Sequence, residues 1–329
     1  MAEWLYEEGI GENRAALIEG GLILEAQIEL PGGLRAASVV DGRLAAILVP
    51  GRRAIVAIEP GGEALLEPVP PGLTEGMAVR AEIVREAIAE QGRAKLPKCR
   101  ITDAPLREGP TLRDRLAQAG CSTTVAAAPA PDRLEQAGWS ELLEQALGAD
   151  IPFQGGALRM SVTPAMTLFD VDGALPPAQL AAAGAAAAGL AIRRLGIGGS
   201  IGIDLPTLPA RSDRQAAAAA LDAVLPQPFE RTAVNGFGFL QVVRRRERAS
   251  LPELLQADRV GAAARALLRR AERAGPGPCT LHAAPAVTAR IEANPAWLEA
   301  LERRLGAAVG LHAEPGLAIS AGHVHSRPA

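Results

Sequence analysis

Residues 166–173, MTLFDVDG, and residues 198–205, GGSIGIDL, are two apolar runs that each carry aspartate at or near the end. Side chains alternate between faces along a strand, so Met166, Leu168, Asp170 and Asp172 share one side while Thr167, Phe169 and Val171 share the other. In the second run Ile201, Ile203 and Leu205 make the apolar side, leaving Ser200, Gly202 and Asp204 opposite. Gly202, two residues before Asp204, leaves room for a close approach. The intervening PPAQLAAAGAAAAGLAIRRLG predicts a helix, opened by Pro176 and Pro177 and stopped by Arg193, Arg194 and Gly196. If the two strands are parallel neighbours, Asp170 and Asp204 arrive together at one sheet edge. Carboxylates delivered in that way suit a hard, oxygen-loving divalent cation beside a phosphate. Capping of the following helix and turn is the alternative use of the same two residues.

Working outward, residues 34–97 break into short β-like pieces, RAASVV, RLAAILV, RAIVAIE, EALLEPV and MAVRAEIVREAI, punctuated by Gly- and Pro-rich turns. About five strands with tight turns predict an OB-type barrel, with an irregular β-layer as the alternative. Residues 8–30 read as two strands around Gly20 and Gly21. Residues 99–150 read as a helix at 111–118, a strand at 122–127 and a helix at 139–147. Residues 250–275 are helical and lack cysteine, and the remainder reads strand, helix, helix, strand. His323 and His325 have a spacing that a metal accepts, but their Gly- and Pro-flanked setting reads as a solvated tail. The fold class expected is α+β with several lobes.

Composition narrows the setting. With 329 residues, 48% of them apolar, the chain is long enough for two or three compact units. Only 3% are aromatic, so the cores must be built from Ala, Leu, Val and Ile. A net charge of −3 gives no global basic field, so any nucleic-acid contact must come from local patches. Three scattered cysteines signal neither a disulfide framework nor a zinc knuckle, which points to a reducing, cytoplasmic setting. No cationic, apolar leader opens the sequence and the Ala-rich segment is short and broken by Gly, so no membrane association is expected. LGIGGSIG resembles a nucleotide loop but lacks Gly at the required spacing and feeds a strand, not a helix.

Four motifs occur in a telling order: FDVDG, AIRRLGIGG, SIGIDL and NGFGFLQVVRRRER. In this the chain resembles the ribonuclease E/G endoribonucleases, most strongly from Gly155 to Arg248, with weaker similarity in GENRAALIEGGLILEAQIE and APAVTARIEANPAWLEALERRLG. The resemblance implies four segments: 1–33 with 99–150 as a reduced ribonuclease-H-like lobe, 34–98 as an OB-type barrel, 151–250 as a DNase-I-like catalytic domain, and 251–329 as a helical linker with a small C-terminal domain. It implies Mg2+-dependent hydrolysis of single-stranded RNA, with Asp170 and Asp204 as catalytic metal ligands and Asp172 as a third. Products carry a 5′-phosphate and a 3′-hydroxyl in that family. A non-catalytic RNA-binding relative and a purely structural interaction protein are the competing readings.

Departures from the family pattern sharpen the expectation. Asp172 stands where the family has Asn, and Thr207 replaces a second downstream aspartate. Ile47 occupies the place of a base-stacking aromatic in the barrel, which weakens the grip on single strands. Gly236 stands where the family's 5′-phosphate sensor has Arg. Phe237 with Arg244, Arg245 and Arg246 forms the candidate RNA contact, with an ordinary solvated strand end as the alternative for the arginines. The absence of thiolates in residues 250–275 excludes the family's zinc link there, so no structural zinc is expected, while homo-oligomerisation by other means is compatible.

Overall fold

The computed structural model describes residues 1–59, 61–90, 94–128 and 130–326. The fold is mixed α+β, with a closed five-stranded β-barrel and three separate sheets. The chain divides into two compact units, one made of Met1–Pro31, Leu116–Glu141 and Leu255–Ala329, the other of Gly32–Arg115 and Leu142–Leu254. Three helices, α1 (Leu112–Gln118), α3 (Trp139–Leu147) and α6 (Leu251–Ala257), run through the points where the chain passes from one unit to the other.

In the first unit, β1 (Glu3–Glu8), β2 (Asn13–Glu19) and β3 (Leu22–Glu29) form an antiparallel meander turned at Gly20 and Gly21, and β9 (Thr123–Val125) adds parallel to β1. The short helix α2 (Arg133–Gln136) is capped by Asp132, whose carboxylate accepts from the Glu135 amide at 3.0 Å. Farther along the chain come α7 (Arg259–Arg273), β16 (Cys279–Ala283), α8 (Pro285–Glu292), α9 (Pro295–Leu305), β17 (Val309–Ala313) and β18 (His323–Ser326). Their sheet has the order β17-β16-β18. Ile10 joins Leu267, Leu281, Val287, Ile291 and Leu301 in one buried apolar cluster. The stretch expected as a solvated tail is therefore wrong for His323 and His325: they lie on β18, antiparallel to β16.

In the second unit, β4 (Val39–Val49), β5 (Arg53–Ile58), β6 (Glu63–Leu66), β7 (Ala78–Arg85) and β8 (Lys98–Ile101) close a barrel in the order β4-β5-β6-β8-β7. Its interior is Leu44, Val56, Leu66, Ile83 and other aliphatic side chains, as the low aromatic content requires. Two corrections follow. RAASVV is not a strand of its own, because Val39 and Val40 begin the eleven-residue β4, and the fifth strand is β8, at the start of the segment read as part of another lobe.

The other layer of this unit is a six-stranded sheet of β10 (Ile151–Phe153), β11 (Gly156–Val162), β12 (Thr167–Gly173), β13 (Gly199–Asp204), β15 (Phe239–Arg244) and β14 (Glu230–Arg231), in that order. Only β12 and β13 pair in parallel, and the helix α4 (Pro177–Arg194) connects them. With α5 (Arg211–Val224) it forms a helical layer. The Ala-rich sequence now has a packing reason. A methyl at Gly184 would lie 2.3 Å from Val171 and one at Gly189 would lie 2.7 Å from Val224, so small residues let the helix approach both sheet and neighbour. Phe169, Val171, Ile201, Ile203, Leu240 and Val242 are buried on the sheet face whose alternation the sequence predicts. Among the described residues, no helix is long and apolar enough to cross a membrane.

Candidate active site

Asp170 and Asp204 are register partners across the parallel β12–β13 pair. Neighbouring strands lie about 4.8 Å apart, so the two carboxylates leave the backbone side by side. Both residues are exposed, on the sheet face opposite Phe169 and Ile203. The register extends the row on that face: Arg159 of β11 stands opposite Asp170, and Phe239 of β15 stands opposite Asp204. Asp204 ends β13, so the loop towards α5 follows it directly, whereas Asp170 ends the β12–β13 register while β12 itself runs on to Gly173 before the loop to α4. Neither helix has a side-chain cap: Pro176 and Ala210 stand at their N-cap positions. The aspartates thus do not cap these two helices.

Asp172 lies one full pleat beyond Asp170, paired with Ala157 on the antiparallel side and past the end of the β12–β13 register. The register therefore puts two of the three expected ligands side by side, with Asp172 about 7 Å farther along the same face. The space beside Gly202 is also taken from within: a methyl there would meet the Phe239 ring at 2.6 Å and Leu168 at 2.7 Å. The glycine admits the protein's own aromatic ring, where the sequence suggested room for an incoming group.

Phe237 stands at the tip of a tight turn and is 82% exposed. The Asn235 side-chain oxygen accepts from the amides of Phe237 at 2.9 Å and Phe239 at 3.0 Å, holding the turn's shape. Gly238 has φ +95°, and a methyl there would meet the Leu205 carbonyl at 2.2 Å, so the turn demands glycine at this place. At Gly236 a methyl meets nothing within 4 Å.

The arginine run is not beside the aspartates. Arg244 pairs with Gly199 at the start of β13, whereas Phe239 pairs with Asp204 at its end, so five residues, about 17 Å, separate them along the strand. Arg244 donates to the Ile197 carbonyl at 3.2 Å, Arg245 pairs with Glu247 at 3.0 Å, and Arg246 pairs with Glu253. Arg248 reaches Glu86 of the barrel side at 3.7 Å, and the Glu86 amide donates to the Glu247 carbonyl at 2.7 Å. Lys95 adds a bond to the Pro164 carbonyl at 3.1 Å. Arg248 thus joins the sheet side to the barrel side, while Arg244, Arg245 and Arg246 are engaged by groups near the start of β13, in the same loop and on α6.

Sequence reading missed Arg159, whose side chain is 63% exposed and 3.6 Å from Asp150. Its signal was the alternation in GALRMSV, which places Arg159 on the polar face once that strand is paired with β12. Ile47, the barrel position in question, is partly buried against the barrel core, and its amide donates to Glu75 at 2.7 Å. No protein-family model matches this chain, and no curated protein matches it.

Proposed function

We propose that this chain is a Mg2+-dependent endoribonuclease acting on single-stranded RNA in the cytoplasm. The observation that carries the reading is the register pairing of Asp170 with Asp204 at the carboxyl end of the parallel β12–β13 register, the end of parallel strands at which ligands of open α/β sheets bind. The donor set fits the ion: Mg2+ is commonly held by one or two carboxylates plus waters, and two exposed oxygen donors at strand spacing meet that requirement without Asp172. Bound there, Mg2+ supplies a more acidic water and offsets charge on the phosphate oxygens. Asp170 and Asp204 fix its position, Arg159 brings a cation to the same row for a non-bridging phosphate oxygen, and Phe237 offers a face for one base. The OB-type assignment of the barrel belongs to the same reading and is supported by its strand order, first, second, third, fifth, fourth and back to first, with the third and fifth strands parallel. The DNase-I-like reading of the six-stranded sheet remains part of the proposal.

A non-catalytic RNA-binding relative is the second reading, in which the exposed Phe237, with the exposed Arg245 away from the aspartates, holds RNA without cleavage. One experiment separates them: a labelled AU-rich single strand incubated with and without Mg2+, using the parent, Asp170→Asn and Asp204→Asn. Cleavage that needs Mg2+ and both carboxylates supports the nuclease. Binding without cleavage supports the relative.

A further inference from the structure

All four histidines of the 329-residue chain, His282, His312, His323 and His325, converge on one small sheet in the first unit. His312 of β17 and His323 of β18 are both register partners of His282 on the central β16. Three imidazoles therefore stand in one row across three strands. His325 follows one pleat away, opposite Thr280. The His282 ring stacks on His323 with centroids 4.9 Å apart and lies 5.0 Å from His312.

Glu314 completes the group. Its amide donates to the Ala283 carbonyl at 2.8 Å, which places it just past the row, and its carboxylate lies 2.5 Å from His282 Nδ1. One ligand atom from each of His282, His312 and Glu314 lies within 4.8 Å of the other two. On the opposite side of β16, Cys279, Leu281 and Ala283 are buried in the apolar cluster, so the backbone under the histidines is fixed while their own face is open to solvent. These are the ingredients of a metal site: convergent imidazoles, a carboxylate among them, a rigid base and an entry path.

We propose that His282, His312, His323 and Glu314 bind one divalent transition-metal ion of the Zn2+ class. Imidazole nitrogen with a single carboxylate suits Zn2+, Ni2+ or Cu2+ and is a poor match for Mg2+, which prefers an all-oxygen shell. Zn–N bonds of about 2.0–2.1 Å in a tetrahedron put ligand atoms about 3.3 Å apart, so the exposed rings must close by an ångström or more through ordinary rotamer adjustment. Such an ion ties β17 and β18 to β16 and so fastens the outer strands of this sheet. The expectation of no structural zinc arose from the cysteine-free stretch 250–275, and this site lies elsewhere and uses no thiolate.

The test uses the full chain, stripped with EDTA and titrated with Zn2+ by calorimetry in the presence of millimolar Mg2+. The expected result is one site of micromolar or tighter affinity, accompanied by a rise in melting temperature, with His282→Ala and His312→Gln each weakening binding tenfold or more. His312 is exposed, so its variant remains folded and its circular dichroism spectrum matches the parent's. Co2+ provides a second readout: a tetrahedral absorption band in the parent, lost in both variants. Equal Zn2+ affinity in parent and the His282→Ala, His312→Gln double variant, or parent binding no tighter than millimolar, overturns the proposal.

Discussion

Asp170 and Asp204 face each other across the parallel β12–β13 pair, 34 positions apart in sequence and one strand spacing apart in space. The helix between them is what permits this, since parallel neighbours need a crossover and α4 supplies it on the buried face. Under the proposed function, asparagine at either site keeps shape and removes charge, so cleavage should fall more than about a hundredfold. Both side chains are exposed, and thermal stability should stay within about 0.5 kcal/mol of the parent. Parallel cleavage and melting measurements check this, and a variant that cuts as fast as the parent removes these residues from the chemistry.

The arginines should separate by burial. Arg245 is 75% exposed and paired with an exposed-side partner, whereas Arg246 and Glu253 have side chains only 20% and 10% exposed. Arg246→Ala leaves the Glu253 carboxylate short of a cation in a half-buried place and should cost about 1–3 kcal/mol. Arg245→Ala should be nearly neutral. Urea denaturation of the two variants decides it, and equal midpoints would mean that stability does not depend on the Arg246–Glu253 pair.

A third expectation concerns the buried charges of the first unit. Arg14, 1% exposed, donates to Glu7 at 2.6 Å and to Asp132 at 2.7 Å, and Arg273 reaches the same two carboxylates at 2.9 and 3.0 Å. Burial pushes the Asp132 carboxyl up, but Arg14, the Glu135 amide and Arg273 outweigh it and hold it below the usual range. Its contribution is therefore fully present above the unfolded value of about 3.9 and is lost as pH falls through the lower folded value. Arg14→Met should cost about 1–3 kcal/mol at neutral pH, because it leaves Arg273 to balance two buried acids that two guanidiniums held. Melting curves across pH should show the parent's advantage over Arg14→Met shrinking in acid.

The strands of the candidate site were legible because alternation and chain order survive in one dimension: Phe169 and Ile203 had to face a core, which turned both aspartates outward. The place of the arginine run was not legible, because nearness in sequence to Phe237 says nothing about which strand end a residue occupies. β15 runs antiparallel to β13 and carries Arg244 away from Asp204. The barrel's last strand was missed because KCRI is short and polar on one face, and only closure on β6 and β7 makes it a strand. The histidine row did leave a trace, since LHAAP at 281–285 and LHAEP at 311–315 repeat. That repeat becomes the register His282–His312 once the two copies lie parallel.

The cysteines give a prediction independent of function. Cys99 and Cys279 are buried and Cys121 is exposed, all three free. Burial pushes the Cys99 thiol up to about 12 and raises Cys279 as well, so thiolate is scarce at both in the folded protein. One thiol should react rapidly with a colorimetric disulfide reagent under native conditions and three in denaturant. Rapid loss of two or more native thiols would contradict the packing around β8 or β16.

The turn bearing Phe237 provides the last prediction. Its ring is 82% exposed on a turn fixed by Asn235, so Phe237→Ala should leave melting unchanged. If the ring stacks on a base, affinity for a short single strand should drop by about 1–3 kcal/mol, or ~5- to 150-fold. Next to it, Gly236 lacks the guanidinium that would hold a 5′-phosphate, so matched substrates with 5′-monophosphate and 5′-hydroxyl ends should be cut at rates within about tenfold, equivalent to about 1.4 kcal/mol. Gly236 has open space at its Cβ and no positive φ, so Gly236→Arg should fold normally and raise the preference for the monophosphate. A strong monophosphate preference in the parent itself, unaffected by this substitution, would place 5′ recognition on other residues.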